Sequence, residues 1–153
     1  MYWVLYNLKR FVTIKLPRAQ GVGGSMEKLI KTMLDKKNWV VVGAHPNPEK
    51  FGNKIYNKLL KHGHHVIPVN PVYEEVEGVK TLPSLKDVSE PFDCVNVVVS
   101  PKRAMVVVKE AIEMGVKYIW FQPGAFDEEV IDYAESNGLE VVFHACVLVE
   151  LDK

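Results

Sequence analysis

The stretch Trp39-Val40-Val41-Val42, followed by Gly43-Ala44-His45-Pro46-Asn47-Pro48-Glu49-Lys50-Phe51-Gly52-Asn53, constrains the fold more than any other. A β-branched apolar run ends in a small-residue loop, and an amphipathic segment begins at once. That order is the strand–loop–helix opening of a nucleotide-binding α/β unit. A helix start presents backbone N–H groups without intrahelical acceptors and a partial positive charge, which suits a phosphate. The loop holds Gly43 and Gly52 with Pro46 and Pro48 between them. It does not spell the G-x-G-x-x-G fingerprint of dinucleotide binding.

The alternation continues along the chain. Met26, Leu29, Ile30, Met33 and Leu34 recur at helical spacing and predict a helix to about Lys37. Asn53–His62 reads as a helix stopped by Gly63, and His65–Val69 as a strand ended by Asn70-Pro71. Glu74–Lys86 reads as loop with a short strand near Val79-Lys80, and Ser84 as the cap of a short turn at Leu85–Val88. Cys94–Val99 is a further strand. Pro101 opens a helix that runs to Met114 and stops at Gly115. Tyr118–Phe121 is a strand, Asp127 or a neighbour starts a helix ending at Asn137-Gly138, and Glu140–Phe143 is the last strand. The apolar tail Ala145–Leu151 reads as extended. Continuously apolar strands separated by helices imply a three-layer α/β fold, with a parallel sheet of about five strands covered on both faces.

A chain of 153 residues suits one domain with a sizeable core, and 48% hydrophobic with 25% charged residues describes a soluble globular protein. A formal net charge of zero argues against nucleic-acid partners. No apolar run approaches the roughly 20 residues of a membrane helix. Cys94 and Cys146 show no paired spacing, which favours a reduced, cytoplasmic protein over a disulfide scaffold. Residues 1–25 stand apart, with Lys9, Arg10, Lys15 and Arg18, no acidic residue, and a linker-like Gly21–Ser25. They are either a translated leader before a native start at Met26, or an extension carrying an extra strand at Phe11–Leu16 or a basic tail. The domain is read as residues 26–153. A chain shortened to begin at Met26 should melt cooperatively within a few degrees of the full chain. A collapsed transition would show that the first segment belongs to the fold.

Ligands of such sheets bind beyond the carboxyl ends of the strands. The loops that matter are then Gly43–Gly52, Asn70–Glu74, Ser100–Arg103, Gln122–Ala125 and His144–Cys146. Gly43 and Ala44 allow close backbone approach, Lys50 supplies a point charge for a phosphate, and Gly52 and Asn53 open the next helix. Lys102 and Arg103 sit at a helix start, where bases oppose the dipole and a bound anion would offset them. Dinucleotide folds usually end the second strand with a carboxylate for the ribose. Here that place holds Val69-Asn70-Pro71, which counts against NAD.

These residues resemble the small stand-alone CoA-binding domain proteins, which are Rossmann-like and similar to the CoA-binding part of the succinyl-CoA synthetase α subunit. The resemblance rests on residues 42–52, on Val66-Ile67-Pro68-Val69-Asn70-Pro71, on Ser84-Leu85-Lys86-Asp87-Val88 with Glu90-Pro91, and on Trp120-Phe121-Gln122-Pro123-Gly124. It implies coenzyme A or an acyl-CoA as ligand. The phosphates would lie near Gly43, Ala44, His45, Pro46, Lys50, Phe51, Gly52 and Asn53. The adenosine would lie near Asn70, Pro71, Ser100 and Pro101, with Arg103, Gln122 and Gly124 completing the site. Two departures stand out. His45 replaces the family's usual serine or threonine, and Ala145-Cys146-Val147-Leu148-Val149-Glu150 replaces an Arg-Cys-Pro-x-x-Glu ending.

No nucleophile–base–orienter set is visible. His62, His64 and His65 diverge from a helix end into a strand and make a poor metal site. His144 and Cys146 read as a hydrogen-bonded histidine and a core-edge cysteine rather than a reactive pair. The reading is a CoA-binding protein without evident catalytic residues, acting alone, as a homo-oligomer or with a protein partner. The alternatives are an NAD(P)-binding enzyme and a nucleotide-sensing regulator.

Overall fold

The computed structural model describes residues 2–5, 11–14 and 25–153. Strands β1 (Tyr2–Leu5) and β2 (Phe11–Ile14) pair antiparallel, Tyr2 opposite Ile14. The remainder of the leader, basic-tail and linker readings lies outside the described residues, apart from Ser25, which opens helix α1 (Ser25–Leu34).

The main sheet is built from β3 (Asn38–Val42), β4 (His65–Val69), β7 (Cys94–Val97), β8 (Tyr118–Phe121) and β9 (Glu140–Val142). All five are parallel, in the order β4-β3-β7-β8-β9. Successive strand residues face opposite sides. Trp39, Val41, Cys94, Trp120 and Val142 point to one face, which is covered by α1, α2 (Phe51–Lys61) and the short α5 (Val147–Glu150). Val40, Val42, Val95, Val97, Ile119 and Phe121 point to the other, covered by α3 (Pro101–Met114), α4 (Glu128–Ser136) and the 3₁₀ turn Leu85–Asp87. The α/β, Rossmann-like reading therefore holds. Pro68 lies on β4, an edge strand, where a missing N–H is tolerated.

The departures have local causes. The tail is not extended. Gln122 Oε1 accepts the Val147 N–H at 3.1 Å and Trp120 Nε1 donates to Ala145 O at 2.8 Å, so the chain turns into α5 and buries Val147. Between β4 and β7 a hairpin forms, β5 (Glu75–Val76) with β6 (Val79–Lys80), where one short strand was expected. Its turn holds Glu77 at φ 50° and Gly78 at φ 76°, as a tight hairpin demands. Ser84 does not cap the turn after it by its side chain. Its hydroxyl donates to Asp87 Oδ2 at 2.6 Å.

Candidate functional site

From β3 the chain passes through α2 to β4 on one side. It returns over the opposite face to β7 on the other side of β3, then moves outward through α3. The loops leaving β3 and β7 part above the sheet, and the crevice between them is where open α/β sheets take ligands.

The floor of the crevice is tight. Gly43 has φ +102°, and a Cβ there would stand 2.3 Å from Val98 O. A Cβ on Gly52 would stand 1.9 Å from Gly43 O. Gly43 N–H donates to Val69 O at 2.9 Å. The space left by these two missing side chains is filled by the chain's own backbone, and Ala44 is buried. The loop beyond is tied internally. Asn47 N–H donates to His45 Nδ1, Glu49 N–H to Asn47 Oδ1, and Lys50 N–H to Asn47 O. Pro46, Lys50 and Phe51 are exposed on its rim.

Two asparagines hold that loop. Asn53, 3% exposed, donates from one amide nitrogen to His45 O at 2.9 Å, Pro46 O at 3.3 Å and Glu77 Oε1 at 2.7 Å. Its Oδ1 accepts from Asn57 Nδ2 at 2.8 Å. Asn70 Nδ2 donates to Ala44 O at 2.8 Å, while its Oδ1 accepts the Val72 N–H. The His45 ring packs on Tyr73, centroids 4.5 Å apart. The β5–β6 hairpin and the turn after β4 thus buttress the loop after β3.

The electrostatics of the crevice follow from its helix starts. α2 and α3 begin at Lys50 and Ser100, neither of which caps with its side chain, and neither helix has an acid in its first turn. Lys50, Lys102 and Arg103 are exposed there. α4, away from the crevice, is conventional, with Asp127 accepting the Val130 N–H at 2.9 Å and Glu128 and Glu129 following. Uncapped helix starts with bases beside them favour an anion.

Beside the crevice lies an apolar slot of about 230 Å³. Val42, Val69, Pro71, Leu85, Val99 and Val107 form its walls. Arg103 and Glu110 of α3 and Ser84 supply its polar edge. Burial pushes the Glu110 carboxyl above the usual range, opposed by the Lys86 cation.

The structure thus brings together Gly43, Ala44, His45, Pro46, Lys50, Phe51, Gly52, Asn53, Asn70 and Pro71 around one loop network, with Ser100, Pro101 and Arg103 across the crevice. Gln122 lies apart, buried beneath α5, where its Nε2 reaches Cys146 Sγ at 3.3 Å. Gly124 has φ +89° with open space around it, so a turn demands it. Sequence reasoning missed Glu77, Glu110 and the slot walls other than Pro71. One signal for the slot existed. Arg103, Val106, Val107 and Glu110 fall at i, i+3, i+4 and i+7, a single helix stripe with charges at both ends.

The remaining chemical candidates are engaged elsewhere. His64 Nδ1 meets Lys36 O at 2.8 Å and His65 Nε2 meets Glu90 Oε1 at 2.7 Å. The His144 ring packs against Phe126 and Phe143. Burial raises the Cys94 thiol well above its ordinary value, and both cysteines are free. Among the described residues no helix is long and apolar enough to cross a membrane.

Residues 37–152 match the model of the CoA binding domain family. The chain belongs to that family. Another protein similar to this CoA-binding domain is the uncharacterized YneT of Bacillus subtilis, 31% identical over 121 residues, covering 78% of this chain and 90% of that one. Among solved structures, a hypothetical protein from Pyrococcus horikoshii superposes with a TM-score of 0.79 at 34% identity, covering 92% of this chain and 97% of the other. The α subunit of an ADP-forming acetate–CoA ligase from Pyrococcus furiosus is 30% identical over 118 residues, 70% of this chain but 26% of that subunit. The chain therefore corresponds to about a quarter of the ligase subunit.

Proposed function

We propose that this protein binds coenzyme A, free or acylated, across the crevice beyond β3 and β7. The observation that carries the reading is the pairing of two uncapped, base-flanked helix starts with an apolar slot at the point where strand order reverses. The diphosphate suits the starts of α2 and α3, with Lys50, Lys102 and Arg103 as cations. The slot is smaller than the roughly 300–1,000 Å³ of a pocket that encloses a whole drug-sized ligand. It suits one planar part of a larger molecule, the adenine. Pantetheine and any acyl group would then run outside the slot, along the rim.

The same geometry disfavours NAD. Asn70 stands where a carboxylate would hold the ribose, and its amide is engaged by Ala44 O. CoA carries a ribose 3′-phosphate that a carboxylate there would repel and that nearby bases would attract.

Calorimetry of the purified protein with CoA, dephospho-CoA, NAD and NADP tests the reading. CoA should bind tightest. Lys50→Ala and Arg103→Ala should each weaken CoA by about 1–3 kcal/mol, the worth of one charge-assisted contact. Tighter binding of NAD than of CoA would sink the proposal.

A further inference from the structure

We propose that Glu110 selects the base, accepting a hydrogen bond from the exocyclic amino group of adenine at the inner end of the slot; this rests on the CoA reading above. The slot is polarised along α3. Arg103 stands in the first turn, at the crevice, and Glu110 lies seven residues on. At 1.5 Å rise per residue that is about 10 Å deeper along the helix. A nucleotide has the same polarity, with phosphate at one end and the 6-position of the base at the other. With Arg103 toward the phosphates, the group meeting the base edge is a carboxylate.

A carboxylate is an acceptor only, and the exocyclic amine of a base is its natural donor. Of the other polar groups of the slot, Arg103 can only donate, and Ser84 Oγ, whose proton goes to Asp87 Oδ2, is a neutral acceptor and so a weaker partner for an amino group than a carboxylate. The surrounding walls are valine, leucine and proline, which offer the base edge no polar partner of their own. Burial raises the proton affinity of Glu110, while the Lys86 backbone N–H and cation hold part of the carboxylate in place and leave it further acceptor capacity toward the slot. A site built around such a contact rejects an analogue that lacks the donor, because its own polar group is left unpaired.

The hypoxanthine analogue of CoA replaces the amino group by a carbonyl oxygen, so that position 6 changes from donor to acceptor and the donor moves to the adjacent N1–H. Titration of the intact protein with CoA and with this analogue, in wild type, Glu110→Gln and Glu110→Ala, reads the effect as a ratio within each protein. Ratios cancel any general loss of binding, and melting curves confirm that each variant is folded. Wild type should prefer CoA by about tenfold or more, the weight of one hydrogen bond to a charged group. Glu110→Ala should bring the ratio close to one. Glu110→Gln should equalise or invert it, since its amide nitrogen can donate to the carbonyl. Arg103→Ala should weaken both ligands and leave the ratio near the wild-type value. CoA binding with a wild-type ratio within twofold of one overturns the role of Glu110 and leaves the CoA reading standing, as does a wild-type ratio retained in both Glu110 variants. Failure of wild type to bind CoA overturns both.

Discussion

Gly52→Ala is expected to destabilise the protein by about 3 kcal/mol and to abolish CoA binding at the concentrations wild type needs. The added Cβ would lie 1.9 Å from Gly43 O, 3.0 Å from Gly43 C and 3.3 Å from His45 N. All three are backbone atoms, so no flexible side chain can swing away. α2 must move off the β3 loop, or the loop must leave its bond to Val69. Alanine is favoured over glycine in a helix by about 1 kcal/mol, which works in the opposite direction. Overpacking against side chains costs about 1–3 kcal/mol and more where backbone must shift, so the clash wins. For a chain of this size the loss should lower the melting temperature by about 6–12 °C. Gly78→Ala is the contrast. Gly78 has φ +76° with nothing within 4 Å of its missing Cβ, so only backbone conformation opposes the change, at about 1–2 kcal/mol. A Gly52→Ala protein as stable as wild type would show that α2 does not press on Gly43.

The two glycines also show what was legible in the sequence. Their place in a strand–loop–helix unit was readable from the apolar run at Val40–Val42 and the amphipathic stretch after it. Their purpose was not. Glycine reads the same whether a ligand or the chain itself approaches, and contact between positions 43 and 52 has no periodic signature. Asn53 and Asn70 read as ligand-binding residues, and their structural ties were not legible because the partners, Glu77 and Ala44 O, come from segments brought near only by the fold. Gln122 also read as a ligand-binding residue, because the helix that covers it follows from the hydrogen bond that Gln122 Oε1 itself accepts from Val147 N–H. By contrast α3 was legible end to end. Pro101 at its start and Gly115 at φ 75° after its end are local signals that need no tertiary partner.

The Asn53 network gives the second large effect, because one amide nitrogen serves three acceptors in a buried place. Asn53→Ala leaves His45 O, Pro46 O and Glu77 Oε1 without that donor. Each unsatisfied buried group costs about 1–3 kcal/mol, reduced where water reaches it, so a loss of about 2–3 kcal/mol is expected. Asn53→Asp keeps the shape and reverses the chemistry. A carboxylate would then face two carbonyl oxygens and the Glu77 carboxylate, and at neutral pH this should be worse than alanine. The introduced carboxyl, desolvated and beside a like charge, must hold its proton to higher pH than in the unfolded chain, where its pKa is about 3.9. The folded state then binds more protons than the unfolded one. The stability contributed by the protonated form is fully present below the unfolded pKa and is lost as pH rises through the folded pKa. The melting-temperature gap between wild type and Asn53→Asp should therefore widen from pH 5 to pH 8, while the gap for Asn53→Ala should stay nearly constant. CoA binding should weaken with the same pH trend, since the β3 loop holds its binding shape in a smaller fraction of molecules. A gap that does not widen would mean that the carboxyl escapes to water, and that Asn53 is not what ties the loop to the hairpin.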